Sequence, residues 1–308
     1  MKTVRIGTRG SLLALAQSRE VARALKKRHP KLFFEIIKIK TAGDEFKSVH
    51  LFKKNNIGIF TKEIERRLLD GSVDIAIHSM KDLPTKLARG LVLGAVPKRG
   101  NISDALISLG RHNLESLPKG SRVGTGSPRR KRQLARLRPD LRLVELRGNL
   151  DTRVSRVLRE KTLDGVVVAR AGLERLKKFK RYWREINPEI FLPAVGQGAL
   201  AIQVRKNDAY TRKIAAVLNH KDTEHLTLVE REFLSRLGGG CRVPVGILSK
   251  KIGSRVRLKA AVFSVSTGSF IEAEIERPWT QAIKAARLLA DGLLRQGARR
   301  FLLEARAS

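Results

Sequence analysis

Cysteine is almost absent: one thiol, Cys241, stands in 308 residues. A lone thiol closes no internal disulfide. Long apolar runs are missing too. The stretch Leu12–Ala16 is too short for a signal-peptide core or a membrane span. With so little cysteine, a reducing cytoplasm is the expected compartment. No low-complexity tract and no internal repeat is present, which excludes large-scale disorder and solenoid folds. The six histidines lack ligand spacing, so no metal site is expected. Acidic residues are scarce, 29 against 64 lysines and arginines, leaving a net charge of +35. Such a balance attracts nucleic acid, anionic lipid or a carboxylate-rich ligand. Because lysines are spread over nearly every segment, most of the excess reads as a solvated basic surface.

What is present is an alternation of strand and helix patterns. Strands are expected at Val4–Ile6, Phe33–Ile39, Val73–Ile77, Leu91–Ala95, Ala105–Ser108, Arg122–Gly124, Leu141–Glu145, Gly165–Ala169 and Ala201–Val204. Helices are expected at Leu12–Lys27, Lys62–Leu69, Arg129–Leu137, Thr152–Arg159 and Asp208–Asn219. This order points to open α/β sheets, and the solidly apolar strands to sheets covered on both faces. Loop-like boundaries fall at Pro97–Asn101 and Leu192–Gly198. Further on, Val256, Leu258, Ala260 and Val262 alternate with Arg255, Arg257, Lys259 and Ala261, as in a strand with one buried face. A strand at Phe270–Ile275 and a helix at Thr280–Leu294 complete a small α+β domain.

Several clusters carry chemistry. In Thr8-Arg9-Gly10-Ser11, a strand ends and Ser11 is placed to cap a helix whose free N–H groups, with Arg9, make an anion site. In Gly124-Thr125-Gly126-Ser127-Pro128-Arg129-Arg130, Ser127 caps, Pro128 suits the first helical position, and two arginines follow in the first turn. Cations are unfavourable there, so the pattern anticipates an anion, the competing reading being a surface helix in a basic chain. In His78-Ser79-Met80-Lys81-Asp82-Leu83-Pro84, polar groups gather at the carboxyl end of a buried strand, where ligands of open α/β sheets collect. Asp82 alone would more often be a turn residue, and His78 a packed or capping histidine. Arg147, Arg153 and Arg175 stand at strand ends or helix starts, and their planar forks suit carboxylates and phosphates. The segment Lys177–Arg184 mixes bases with aromatics. It reads as a helix with its aromatics on the core rather than a single-strand stacking platform. Cys241 lies in Gly238-Gly239-Gly240-Cys241-Arg242-Val243-Pro244, where the glycines leave room and Arg242 favours the thiolate. An inert thiol in a turn is an equally good reading of that segment alone.

Together these motifs resemble those of the porphobilinogen deaminase (hydroxymethylbilane synthase) family. The resemblance also draws on Thr41-Ala42-Gly43-Asp44, Leu146-Arg147-Gly148-Asn149 and Leu192-Pro193-Ala194-Val195-Gly196-Gln197-Gly198, and it runs in family order from residue 7 to about 246. It implies two doubly wound α/β domains like those of periplasmic binding proteins, joined by a hinge, plus a small α+β domain carrying the cysteine. The boundaries would be 1–98 with 198–217, 99–197, and 218–308. It implies a dipyrromethane cofactor attached through a thioether to Cys241. Four porphobilinogen molecules would be deaminated and coupled head to tail on it, and the linear tetrapyrrole released by hydrolysis. Asp82 would be the catalytic carboxylate, chiefly stabilising the azafulvenium cation formed when ammonia leaves. Arg9, Ser11, Lys81, Ser127, Arg129, Arg130, Arg147, Arg153 and Arg175 would hold the acetate and propionate arms, each charge-assisted contact contributing about 1.5–3 kcal/mol. Lys53, Phe60, His78 and Gln197 are further candidates. A cytoplasmic monomer with no membrane and no specific nucleic-acid partner is implied.

The chain departs from the family pattern at Ile57, where a lysine is frequent, at Asn101-Ile102-Ser103-Asp104, and at Gly126 and Gly238. Two rival readings remain at this point. A non-catalytic anion-binding module of the periplasmic-binding type would need neither Cys241 nor Asp82. A nucleic-acid-binding protein would bind with steep salt dependence and carry no pigment.

Overall fold

The computed structural model describes residues 2–41, 61–238 and 243–307. Cys241 with its neighbours Gly239, Gly240 and Arg242, and Ala42, Gly43, Asp44, Lys53, Ile57 and Phe60, lie outside the described residues. The chain divides into two compact units. One takes Met1–Gly100 and Gly198–His225, the other Asn101–Gln197 and Leu226–Ser308.

In chain order, the first pass through the first unit forms β1 (Thr3–Arg9), α1 (Leu12–Arg28), β2 (Phe33–Ile39), α2 (Lys62–Leu69), β3 (Ile75–Ser79) and β4 (Leu91–Ala95). The second unit then contributes β5 (Asp104–Ser108), β6 (Arg122–Gly124), α3 (Pro128–Leu137), β7 (Arg142–Val144) and α4 (Leu150–Leu158), followed by β8 (Gly165–Ala169), α5 (Arg170–Leu176) and β9 (Trp183–Ile186). The chain returns to the first unit with β10 (Leu200–Arg205) and α6 (Ala209–Ala216). It ends with α7 (Lys221–Arg236), inside which the unit boundary falls, then β11 (Val245–Ile252), β12 (Arg255–Phe263), β13 (Phe270–Pro278), α8 (Ala282–Leu293) and α9 (Arg299–Ala307).

Each unit carries a five-stranded sheet of the same plan. The orders are β2-β1-β3-β10-β4 and β7-β6-β8-β5-β9. Three parallel strands come first, β1 between β2 and β3, and β6 between β7 and β8. The fourth strand, β10 or β5, is antiparallel to both neighbours. In each case it is the first strand formed after the chain enters that unit. The central strands are buried along most of their length. Along β8, Val166 and Val168 enter one core with Ile107, Val154 and Val157, while Val167 enters another with Leu106, Val123 and Leu134. That is the two-residue period of a strand covered on both faces. On α1, Leu15, Ser18, Val21 and Leu25 form the buried stripe, and Lys26, Lys27 and Arg28 complement the helix dipole at its end.

The third sheet, β11-β12-β13, is antiparallel. Val256, Leu258, Ala260 and Val262 point to a core closed by Ala286, Leu289 and Leu293 of α8 and Phe301 of α9, as the alternation anticipated. The expected helix over Lys177–Arg184 is absent. Lys177 and Phe179 adopt left-handed φ values of 53° and 64°, a short 3-10 turn follows, and Trp183 starts β9 opposite Ile107. Edge pairing to β5 overrides the helical pattern here, while Phe179, Tyr182 and Trp183 still pack on the core. Helices α5, α7 and α9 and strand β11 were not anticipated from the sequence.

Candidate active site

In the first unit a cleft of about 70 Å³ opens across the carboxyl end of β3. Two helix starts border it. Ser11 Oγ accepts the Ala14 N–H at 3.3 Å and caps α1, and Thr61 precedes α2. Both starts bring the positive end of a helix dipole to the cleft. Arg9, the last residue of β1, lines the same space. His78 and Ser79 from β3 and Gln17 from α1 form its polar wall, Gln17 Nε2 donating to Ser79 Oγ at 3.0 Å.

Asp82 sits on the rim. After β3 the chain makes one 3-10 turn over Met80–Asp82, with Met80 buried and its N–H bonded to the Ala199 carbonyl at 3.0 Å. The buried Met80 and Leu83 hold the turn, so Asp82 between them is left exposed at the mouth of the cleft. Lys81 is half-buried beside it. His78 is buried behind. Its Nε2 meets Gln203 Oε1 at 3.0 Å, and Gln203 Nε2 donates to Glu65 Oε1 at 2.9 Å. Burial pushes the His78 imidazole down to about 4, its bond to Gln203 opposing that only in part.

In the second unit, Ser127 Oγ accepts the Arg130 N–H at 3.4 Å, and Pro128 opens α3. The two arginines that follow are buried. Their shared anion is Asp104, the first residue of β5 and fully buried. Arg129 Nη2 lies 2.8 Å from Asp104 Oδ2, and Arg130 Nη2 lies 2.7 Å from Oδ1. Backbone accepts further donors: Arg129 Nη1 bonds the Leu192 carbonyl at 2.6 Å and Arg130 Nη1 the Val167 carbonyl at 3.2 Å, while Arg129 Nε is buried without a hydrogen-bond partner among the described residues. Gln197 Nε2 joins the cluster, donating to Asp104 Oδ1 at 3.1 Å and to the Ile102 carbonyl at 2.8 Å. Burial alone would raise the Asp104 carboxyl, but the two guanidinium groups outweigh it and hold it below the usual carboxylate range. So the anion that the cation-bearing helix start anticipated is, in this structure, a side chain of the same unit.

The turn before α3 packs against the turn before α4. A Cβ at Gly126 would stand 2.4 Å from the Leu146 carbonyl oxygen, so this close approach requires glycine. Arg147 follows, exposed, with its Nε 3.4 Å from Glu145 Oε1. Gly148 takes φ 107°, and its carbonyl accepts Arg153 Nε at 2.8 Å. Arg175 is half-buried in the last turn of α5. The site residues thus form a cleft set in the first unit (Arg9, Ser11, His78, Asp82, with Lys81 adjacent), a buried set in the second (Arg129, Arg130, Gln197), and a turn set there (Ser127, Arg147, Arg153). Lys53, Phe60 and Cys241 lie outside the described residues.

Sequence reasoning missed Glu65, Gln203 and Asp104. It also missed Glu230, whose Oε2 accepts the Gly196 N–H at 2.6 Å. A signal existed for two of them. Gln203 interrupts the apolar run of β10, and Glu65 sits beside Ile64 on the buried side of α2; a buried polar group needs a partner. Among the described residues no cluster of histidine, cysteine or acidic side chains could hold a metal ion.

Two family descriptions match the chain: porphobilinogen deaminase, dipyromethane cofactor binding domain, over residues 4–213, and porphobilinogen deaminase, C-terminal domain, over residues 225–295. A porphobilinogen deaminase of Syntrophus aciditrophicus is 45% identical over 301 residues, covering 98% of either chain. One of Syntrophomonas wolfei is 42% identical over 306 residues, covering 99% of this chain and all of the relative. Among solved structures, the substrate binding domain of a putative molybdenum transporter from Clostridium difficile is a loose likeness, with a TM-score of 0.44 at 10% identity over 73% of this chain and 96% of that one.

Proposed function

This chain belongs to the porphobilinogen deaminase family, and we propose that it deaminates four porphobilinogen molecules, couples them head to tail on a dipyrromethane held by Cys241, and releases hydroxymethylbilane by hydrolysis. Near-complete coverage at 45% identity carries this reading. An anion-binding module would have no use for Asp82 exposed at a cleft lined with donors, and a nucleic-acid reading rests on charge alone.

The donor set suits carboxylate arms: two helix starts and Arg9 converge in the first unit, and Arg147 and Arg153 flank one turn in the second. A cleft of about 70 Å³ takes one arm or one ring edge rather than a whole dipyrrole. When bound, the dipyrromethane supplies the nucleophilic pyrrole carbon that starts the chain and the covalent tether that retains it. Arg9, Ser11 and the α1 N-terminus hold a carboxylate arm, with Lys81 adding charge. Asp82 faces the positive charge that develops as the substrate's C–N bond breaks and ammonia leaves. A fixed anion there stabilises that charge without reorganisation. Arg147, Arg153 and Arg175 offer further forks, with Ser127 beside them. Arg129 and Arg130 bring two positive charges against the one of Asp104, and the surplus favours an anion nearby.

Three domains are proposed, 1–98 with 198–217, 99–197, and 218–308, supported by three sheets each with its own core. A cytoplasmic monomer without a nucleic-acid partner is part of the same proposal. No helix of the described residues is long and apolar enough to cross a membrane. The test is intact mass. Protein from cells with a working haem pathway should carry a covalent dipyrrole adduct, and Cys241→Ser should lack it. A wild-type mass equal to the bare chain would sink the assignment.

A further inference from the structure

The cleft of the first unit is backed by a polar chain, Glu65–Gln203–His78, whose exposures are 8%, 0% and 5%. Its members come from three elements. Gln203 pairs with Ala76 across β10 and β3, and His78 with Ala201, so the two polar side chains are diagonal neighbours on one face of the sheet, over which α2 lays Glu65. The Gln203 amide donates its NH2 to Glu65 Oε1 and turns its oxygen to His78. An oxygen at 3.0 Å from Nε2 calls for a proton on Nε2. The neutral ring then carries its lone pair on Nδ1. That ring lines the cleft with Asp82 and Arg9. Among the described residues its hydrogen-bond partner is Gln203.

We infer that Glu65, acting through Gln203, fixes His78 as the Nε2–H tautomer so that Nδ1 accepts a hydrogen bond from the aminomethyl ammonium of porphobilinogen. Glu65 and Gln203 are positioning residues; His78 touches the substrate. The inference rests on the substrate reading above and adds a group that recognises the leaving amine. In the step concerned, the C–N bond breaks and its electron pair leaves with nitrogen as neutral ammonia. The positive charge passes to the pyrrole methylene, and His78 neither gains nor loses a proton. The amine must therefore stay protonated until the bond breaks. A basic neighbour would strip it to a poor leaving group. Burial holds His78 near about 4, so it accepts a hydrogen bond at neutral pH without taking the proton. Among the described residues, the titratable groups at this cleft and behind it are Arg9 from β1, Glu65 from α2 and Asp82 after β3. From α1 come Ser11 and Gln17, and from β10 Gln203, none of which titrates.

The tautomer is measurable without turnover. In cofactor-loaded enzyme with 15N-labelled histidine, long-range proton–nitrogen correlations separate protonated from unprotonated ring nitrogens, and loss of a signal in His78→Gln assigns the ring. The expected result is a protonated Nε2 and a bare Nδ1 from about pH 5.5 to 8.5. A protonated Nδ1 in that range overturns the inference. In Glu65→Gln the amide of Gln203 can turn either way, so the tautomers should mix. The KM for porphobilinogen should then rise roughly 3- to 10-fold, the range expected for loss of one hydrogen bond, with kcat changed by less than about twofold. A substrate analogue with methyl in place of aminomethyl should bind both enzymes equally. A shifted tautomer with unchanged KM, or an analogue that loses affinity in step with the substrate, overturns the ammonium contact. A correct tautomer in an enzyme that makes no bilane refutes the substrate reading and the contact with it. A wrong tautomer in an enzyme with normal turnover refutes the inference alone.

Discussion

The two five-stranded sheets place the same devices at the same points and use them oppositely. After the middle strand of each parallel trio, a serine caps a helix, Ser11 on α1 and Ser127 on α3. Beside it, the incoming antiparallel strand meets the end of its parallel neighbour, Leu200 opposite Ser79 in one sheet and Asp104 opposite Ala169 in the other. In the first unit that position is apolar, Leu12 and Leu13 follow the cap, and the charged residues Arg9 and Asp82 stay at an open cleft. In the second it is a buried carboxylate, and the arginines after the cap turn inward to meet it. The same strand order thus carries an open cleft where the entering strand and the helix start are apolar, and a closed ion cluster where they bring Asp104 and two arginines.

The sharpest way to break the comparison is to make the second unit resemble the first. Asp104→Leu should destabilise the protein by about 3–5 kcal/mol in denaturant titration, because two buried guanidinium groups lose their anion. Adding Arg129→Met and Arg130→Met should recover most of that loss, since an all-apolar replacement leaves no unpaired charge. If the triple variant is no more stable than the single one, the cluster is not the reason for the loss.

Next comes the open site. Asp82→Asn keeps the shape and removes the charge, and should lower turnover of porphobilinogen by about 10²–10³-fold in protein whose adduct has been confirmed by mass. A holo variant with near wild-type turnover would remove Asp82 from catalysis. One that fails to fold would instead make it a residue that shapes the turn before Pro84.

Acid should separate the units. Folded His78 stays unprotonated down to about 4, while the unfolded chain takes that proton near the ordinary imidazole value of 6.5. The unfolded state therefore binds more protons in this window, and stability falls as pH drops through it, by on the order of 3 kcal/mol at the bottom. Asp104 has a depressed pKa, so its contribution is present above the unfolded value of roughly 3.9 and is lost only as pH falls below that. Hydrogen exchange should show the first unit loosening below about pH 6.5, and His78→Gln should flatten that response. Loosening of both units together would count against it.

The smallest effects come from exposed arginines. Arg147→Leu should impair cofactor loading or chain elongation while costing little stability. Arg295→Leu, on the surface beyond α8 and outside every motif, should stay within about 0.5 kcal/mol in stability and leave the rate unchanged. Equal losses from both would mean diffuse electrostatics rather than a site.

Much of this was legible in the residues. The strand at Gly165–Ala169 stands where its apolar run placed it, because a strand covered on both faces has nowhere to put a charge. Phe33–Ile39 was legible too, although this half-exposed edge strand carries Glu35 and Lys38. The caps at Ser11 and Ser127 were readable because capping is local and needs only a few neighbouring residues. The segment 177–184 was not, because its pairing partner in β5 lies about 75 residues away and edge pairing outweighs local preference.

By itself the sequence determined the α/β alternation, the one-faced third sheet, and family membership through motifs in a fixed order. These depend on periodicity, local hydrogen bonds and residue identity. Only the tertiary structure decided that Arg129 and Arg130 meet Asp104 and that Glu65 reaches His78 through Gln203. The partners in those contacts are separated by 25 to 138 residues. A side chain's identity states which partners it can accept, whereas burial and strand register select the one it meets.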